Sequence, residues 1–148
     1  MYIRGSVAIN APVEHCWTHL ADLGAHVDWM ADAESIRFTS TETRGTGTTF
    51  ECVTKVGPLK TVDKMTVVDW FEGSCVAVQH TGLVVGTGRF ELTQSGRDAC
   101  NIVWTEDLRF PCALGGGRTA FAARRVLNRN WMGNVRRFER ICDGSYRV

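Results

Sequence analysis

The feature that most constrains this chain is a change of periodicity near residue 110. Before it, short runs of alternating apolar and polar residues are separated by turn residues, which is typical of an antiparallel meander. After it, apolar residues recur at spacings of three and four, which predicts one long amphipathic helix over residues 117–143. The strands of the meander are expected at residues 34–41, 47–56, 59–70, 74–82, 85–94 and 99–110.

The first thirty residues add one strand and two short helices. Residues 2–10 alternate like a strand, Pro12 suits the first turn of a helix, and Gly24 suits its end. A second short helix is expected over residues 25–30. The order β-α-α-β6-α predicts an α+β fold in which a seven-stranded antiparallel sheet curls around the last helix. Because a curved sheet and a single helix do not fill the space between them, we expect an internal cavity.

Composition narrows the class of protein. The 148 residues, 44% hydrophobic and 22% charged, are expected to form one domain over residues 1–148. A net charge of +1 favours neither nucleic acid nor a membrane surface as a partner. The six Cys form no Cys-x-x-Cys pair, and neither a signal peptide nor a membrane span is evident, so we expect a reduced, cytoplasmic protein.

The opening of the chain carries a family pattern. An Ile-x-Ala-Pro run is followed by an acidic residue, a Trp, an Ala-Asp-Leu run and a second Trp. This pattern resembles the START-like superfamily, also called SRPBCC, and within it the polyketide cyclase/dehydrase-like branch. The matching residues are Ile9, Ala11, Pro12, Glu14, Trp17, Leu20, Asp22 and Trp29, with residues 45–50, Val67, Asp69, Gly73 and 136–139 further along.

The resemblance implies a helix-grip fold with a deep apolar cavity between the sheet and the last helix. Members of the superfamily bind lipids, sterols, polyketides or plant hormones, and some catalyse aromatic ring closure. It implies a small hydrophobic molecule as partner and no cofactor, and it leaves open a monomer or a homodimer. Trp17 and Trp29 are then expected to be structural anchors at one end of the cavity.

The strand pattern indicates which residues face that cavity, since alternate residues of a strand share a face. Glu106 falls in the same register as Trp104 and Phe110, and His80 falls in register with inward-facing valines. On the last helix, Arg124 falls near the apolar side, away from the other arginines. The expected ligand-binding residues are Phe50, Cys52, His80, Phe90, Trp104, Glu106, Phe110, Phe121, Arg124, Leu127 and Trp131.

Three of these side chains are polar, and two interpretations of them stay open. His80, Glu106 and Arg124 would orient a ligand in a mostly apolar pocket. Alternatively, Arg124 and Glu106 form a structural ion pair and His80 is simply hydrogen-bonded. We expect no metal site, because His15 and His19, although at a spacing of four, lie opposite the buried face of their helix.

Three functions remain compatible with the sequence. The first is binding of a small hydrophobic ligand such as a lipid, a polyketide or an aromatic compound. The second is catalysis of the cyclase/dehydrase type, with Glu106 or His80 as the acid or base. The third is a partner-binding module whose core is closed by bulky side chains, namely Phe90, Trp104, Phe110 and Trp131.

Overall fold

The structure is a computed structural model that describes residues 1–146 and, within them, every side chain except those of Leu114 and Ala120. The last two residues of the expected domain lie outside the described residues. The strands are β1 Tyr2–Ile9, β2 Ala33–Phe38, β3 Thr49–Val56, β4 Leu59–Phe71, β5 Cys75–Thr81, β6 Val85–Gly96 and β7 Ala99–Arg109. The helices are α1 Val13–Ala21, a 3₁₀ helix Leu23–Asp28, a short 3₁₀ turn Cys112–Leu114 and α2 Gly116–Tyr146.

All seven strands form one antiparallel sheet in the order β1-β7-β6-β5-β4-β3-β2. Hairpins join β2 through β7 in sequence, and only β1 reaches across to pair with the last strand. Gly57 (φ 59°) and Gly73 (φ 85°) occupy two of the tight turns in the left-handed region, which a residue without a Cβ adopts at little cost. The sheet is curved and α2 lies against its inner face, so the predicted architecture is confirmed.

The N-terminal helices close one end of this arrangement. The side chain of Asp22 accepts a hydrogen bond from the Ala25 N–H (3.3 Å), which starts the second helix at Leu23, two residues before the predicted start. Trp29 is 2% exposed, and its ring centroid lies 5.0 Å from that of Phe138 of α2. Packing of Trp29 therefore ties the N-terminal segment to the last helix.

The two halves of α2 have different surroundings. Its C-terminal half packs on the sheet through the buried side chains Trp131, Asn134, Val135, Phe138 and Cys142. The helix crosses β1 at Gly5, where a Cβ would lie only 2.7 Å from Met132 Sδ. Its N-terminal half stands away from the sheet, and there Phe121 is 81% exposed and Val126 59% exposed. This separation leaves room for a cavity beneath the first turns of α2.

Candidate functional site

A cavity of about 360 Å³ lies between the inner face of the sheet and the N-terminal half of α2. Its wall is mostly apolar and includes residues from β2 to β7, the 3₁₀ helix and α2. The lining contains nine of the residues expected from the sequence: Phe50, Cys52, His80, Phe90, Trp104, Glu106, Phe110, Leu127 and Trp131. Since the bulky members leave this space open, the alternative of a closed core is wrong.

Two of the expected cavity residues lie elsewhere. Phe121 and Arg124 are exposed and line a groove beside β1 on the outer side of α2, together with Tyr2 and Arg4. The expectation that Arg124 projects into the cavity is therefore wrong, and so is the alternative of an Arg124–Glu106 ion pair. Ala123, which was not expected, lines the cavity beside the expected Leu127.

Glu106 of β7 is the most deeply buried carboxyl group of the cavity, with 6% of its surface exposed. Its Oε1 accepts a hydrogen bond from Trp104 Nε1 at 2.9 Å. The strand partner of Glu106 is Gly88 of β6, where a Cβ would lie 2.8 Å from Glu106 Oε1, so the glycine makes room for the carboxyl group. Burial raises the pKa of Glu106 to about 8.

His80 of β5 faces Glu106 across β6. Its Nε2 lies 3.6 Å from Glu106 Oε2, and neither atom has a hydrogen-bond partner among the described residues. Burial lowers the pKa of His80 to about 4. At neutral pH the pair is therefore a protonated carboxyl group beside a neutral imidazole, which combines a proton donor with a proton acceptor.

A third buried polar group, Asp63 of β4, was missed by the sequence interpretation. It is 7% exposed and lines the cavity. Asp63 Oδ2 accepts a hydrogen bond from Thr54 Oγ1 at 3.2 Å, whereas Oδ1 has no partner within the described part of the chain. Burial is the main cause that raises the pKa of Asp63. The alternation of β4 carries the signal, because Lys60 and Lys64 occupy the outward register and leave Asp63 facing inward.

Asp32 and His26 also line the cavity and were not expected there. Asp32 Oδ1 accepts a hydrogen bond from Asn134 Nδ2 of α2 at 2.7 Å, and Asn134 Oδ1 accepts one from the Ala31 N–H at 3.0 Å. His26 Nε2 lies 2.8 Å from the carbonyl oxygen of Leu20 and donates to it. Burial lowers the pKa of His26 to about 4. His26 lies in the 3₁₀ helix and Asp32 in the turn before β2, and strand alternation gives no orientation at either position.

The remaining sequence candidates lie away from the cavity. His15 and His19 lie away from the buried residues of α1 and are partly exposed, with Nε2 atoms 2.8 and 3.0 Å from Ser145 Oγ at the end of α2. Within residues 1–146, no group of three or more His, Cys, Asp or Glu side chains is placed to hold a metal ion. None of the helices in this range is long and apolar enough to cross a membrane.

Comparison with known families gives one match that covers almost the whole chain. The family described as polyketide cyclase/dehydrase and lipid transport matches residues 2–142. No sequence among the curated proteins matches this chain.

Many solved structures have the same fold, and three of them are described here. The Zhui aromatase/cyclase from a Streptomyces species has a TM-score of 0.79 and 15% identity, covering 96% of this chain and 93% of its own. Norcoclaurine synthase from Thalictrum flavum, in complex with dopamine and hydroxybenzaldehyde, has a TM-score of 0.70 and 15% identity, with coverages of 95% and 85%. A START superfamily protein from Mycobacterium smegmatis has a TM-score of 0.66 and 14% identity, with coverages of 91% and 97%. These likenesses establish the fold.

Proposed function

The chain belongs to the polyketide cyclase/dehydrase and lipid transport family, and from this premise we propose that it binds one small, largely apolar molecule in the cavity beneath α2. The observation that carries the proposal is the cavity itself, about 360 Å³ with a mostly apolar wall. Ligand sites are typically apolar clefts of about 300–1,000 Å³ with a few converging polar groups. Here the polar groups are His80, Glu106 and Asp63, each with an atom that has no partner among the described residues.

Affinity would come mainly from removal of apolar ligand surface from water, at about 25 cal/mol per Å². Trp104, Phe90 and Phe50 offer aromatic surface to a flat ligand. The polar atoms would orient the ligand. A ligand that cannot hydrogen-bond to them leaves them unpaired in a buried site, and it therefore binds more weakly than a ligand that can.

Binding of a neutral fluorescent probe, N-phenyl-1-naphthylamine, tests this proposal. Val78→Trp places an indole on the inner face of β5, where Val78 lines the cavity, and should weaken probe binding about ten-fold or more by filling the space. Val62→Trp is the matched control, since Val62 is 51% exposed on the outer face of β4. Equal affinity of both variants and the wild type would place the probe outside the cavity and refute the proposal.

A second candidate function is acid–base catalysis on the bound molecule, as in the family's cyclases and dehydrases. The observation that favours it is the Glu106–His80 pair at 3.6 Å. A buried acid with a pKa of about 8 and a base with a pKa of about 4 are both neutral at pH 7, so Glu106 can donate a proton and His80 can accept one. Two of the structural neighbours described above are named as an aromatase/cyclase and a synthase.

Turnover of a poly-β-ketone tests the catalytic candidate. Glu106→Gln and His80→Asn should each slow cyclisation by about 10²–10⁴-fold while the neutral probe still binds. Asp107→Asn, on the exposed face of the same strand, serves as the control for effects of substitution alone. Unchanged rates in both cavity variants would leave simple binding as the function.

A further inference from the structure

The ionisable groups that line the cavity are unbalanced in charge. Three are carboxyl groups, from Asp32, Asp63 and Glu106, and two are imidazoles, from His26 and His80. Neither Lys nor Arg contributes to the wall in the part of the chain that the structure describes. Glu106 is protonated at pH 7, which leaves Asp63 as the buried carboxylate of the wall, and a buried anion is ordinarily paired with a cation.

The two imidazoles do not supply the missing positive charge. Burial lowers the pKa of both His26 and His80 to about 4, so both are neutral at pH 7. His26 is also engaged by the carbonyl oxygen of Leu20 at 2.8 Å. The cavity therefore holds acidic groups and neutral groups, and no fixed cation in its described lining.

The nearby cations of the sheet are directed elsewhere. Lys60 Nζ lies 2.6 Å from Glu34 Oε2 on the outer surface, and Lys55 Nζ lies 4.0 Å from Glu34 Oε1. Arg137 of α2 donates through Nε to the carbonyl oxygen of Trp29 at 2.9 Å. Asp63 therefore faces the cavity, and neither Lys nor Arg lies beside it in the described wall.

Asp63 is the group best placed to bind a ligand cation. Its side chain is more than nine-tenths buried and lines the cavity, and Thr54 occupies Oδ2 alone. Oδ1 has no hydrogen-bond partner among residues 1–146, although a buried carboxyl oxygen normally has one. Asp32 is close enough that its charge adds to the rise of the Asp63 pKa, so a second carboxyl group would reinforce the attraction of a cation at this point.

We propose that the cavity selects an apolar molecule carrying a protonated amine, which donates a hydrogen bond to Asp63 Oδ1, and rejects molecules carrying a carboxylate or a phosphate. The inference rests on the proposed function, because it specifies the ligand class of the same cavity. A charge-assisted hydrogen bond to a buried carboxylate is about twice as strong as a neutral one. An anionic ligand would meet like charge and would find no Lys or Arg in the described wall.

Three probes with one apolar body test this selectivity: 1-naphthylmethylamine, 1-naphthylmethanol and 1-naphthoic acid. Their dissociation constants are measured by titration calorimetry at pH 7 with the wild-type protein. The amine should bind about ten-fold tighter than the alcohol, and the acid should bind more weakly than the alcohol. Because this comparison uses the wild type alone, it stands whether or not any variant folds.

Asp63→Asn identifies the group responsible. It should remove the preference for the amine, raising that dissociation constant about ten-fold, while the alcohol binds as before. Asp107→Asn makes the same chemical change on the exposed face of β7 and should alter neither value. Thermal melting of both variants checks that they are folded.

Two results would overturn the inference in different ways. If the alcohol binds and the acid binds as tightly as the amine, or if Asp63→Asn preserves the preference for the amine, the cavity binds ligands and this selectivity is wrong. If none of the three probes binds, the proposed function fails and the inference fails with it.

Discussion

Glu106 and His80 approach each other across β6, where Gly88 leaves room for the Glu106 carboxyl group. Glu106 pairs with Gly88 of β6, and His80 pairs with Gly86 of the same strand, so β6 separates the two residues. Neighbouring strands lie about 4.8 Å apart, and an intervening side chain would keep the pair from meeting. A Cβ at Gly88 would lie 2.8 Å from Glu106 Oε1, so the glycine lets the carboxyl group fit here, with Glu106 Oε2 3.6 Å from His80 Nε2.

Glu106→Gln should change how stability depends on pH. Burial raises the pKa of Glu106 from 4.5 to about 8, so between these values the folded state holds a proton that the unfolded state releases. The free energy of unfolding of the wild type therefore falls as pH rises through this window. Relative to the wild type, the variant should gain about 3–4 kcal/mol of stability from pH 5 to pH 8, since one pKa unit corresponds to about 1.4 kcal/mol. Urea denaturation at pH 5, 6.5 and 8 measures this difference, and parallel pH curves would contradict it.

His80→Gln should change how the stability of the protein depends on pH below pH 6.5. Burial lowers the pKa of His80 from 6.5 to about 4, so the unfolded state takes up a proton in this window and the folded state does not. The free energy of unfolding of the wild type should fall as pH drops from 6.5 to 4. For the variant it should fall less steeply, with a slope smaller by up to about 1.4 kcal/mol per pH unit. Urea denaturation at pH 4.5, 5.5 and 6.5 measures the slopes. His26 remains in both proteins, so equal slopes would mean that His80 titrates normally.

Gly88→Ala should damage the site by steric pressure on Glu106. The new Cβ would lie 2.8 Å from Glu106 Oε1, displacing the carboxyl group from Trp104 Nε1, and we expect a loss of about 1–3 kcal/mol. Combining it with Glu106→Ala should recover part of that loss, because the clash is gone. Gly117→Ala is the matched control, since Gly117 lies in α2 with nothing within 4 Å of a new Cβ, and it should be neutral or stabilising. Additive effects in the double variant would contradict the proposed contact.

The six cysteines should differ sharply in reactivity. Cys112 is exposed, and the other five are buried. Burial raises the pKa of Cys52 to about 11 and that of Cys100 to about 12, which suppresses their thiolate forms. Reaction with Ellman's reagent should release about one equivalent of product from the native wild type and none from native Cys112→Ser. The wild type in denaturant should release all six equivalents. More than one rapid equivalent from the native protein would show that the buried thiols are accessible.

The sequence predicts the fold well because its patterns agree with one another. Period-two alternation gives the strands, and period-three-and-four spacing gives α2. The prediction fails at the end of α2, because the helix expected to end at residue 143 continues to Tyr146. Tertiary contacts hold this last turn: Asp143 Oδ1 accepts a hydrogen bond from the Asn10 N–H, and Ser145 Oγ contacts His15 Nε2. Such long-range contacts are invisible in a local pattern.

The residues expected from the strands line the cavity, whereas two of those expected from the last helix do not, and their role in ligand binding is a prediction. Strand register places Glu106 and His80 in the cavity because a strand offers only two faces. A helix presents a new direction at every residue, and the N-terminal half of α2 stands off from the sheet, so Phe121 and Arg124 fall outside while Ala123 lines the cavity. Asp63 was missed because no inner face was assigned to β4, although Lys60 and Lys64 mark its outward register.

Ligand binding in the cavity can be tested with the five tryptophans as internal reporters. In a ¹H–¹⁵N spectrum each indole N–H gives its own signal, and N-phenyl-1-naphthylamine is added to saturation. Trp104 and Trp131 line the cavity, whereas the indole N–H groups of Trp17 and Trp70 bond to Glu72 outside it. We expect the Trp104 and Trp131 signals to shift and those of Trp17 and Trp70 to stay in place. Shifts confined to Trp17 and Trp70, or no shift at saturation, would contradict ligand binding in this cavity.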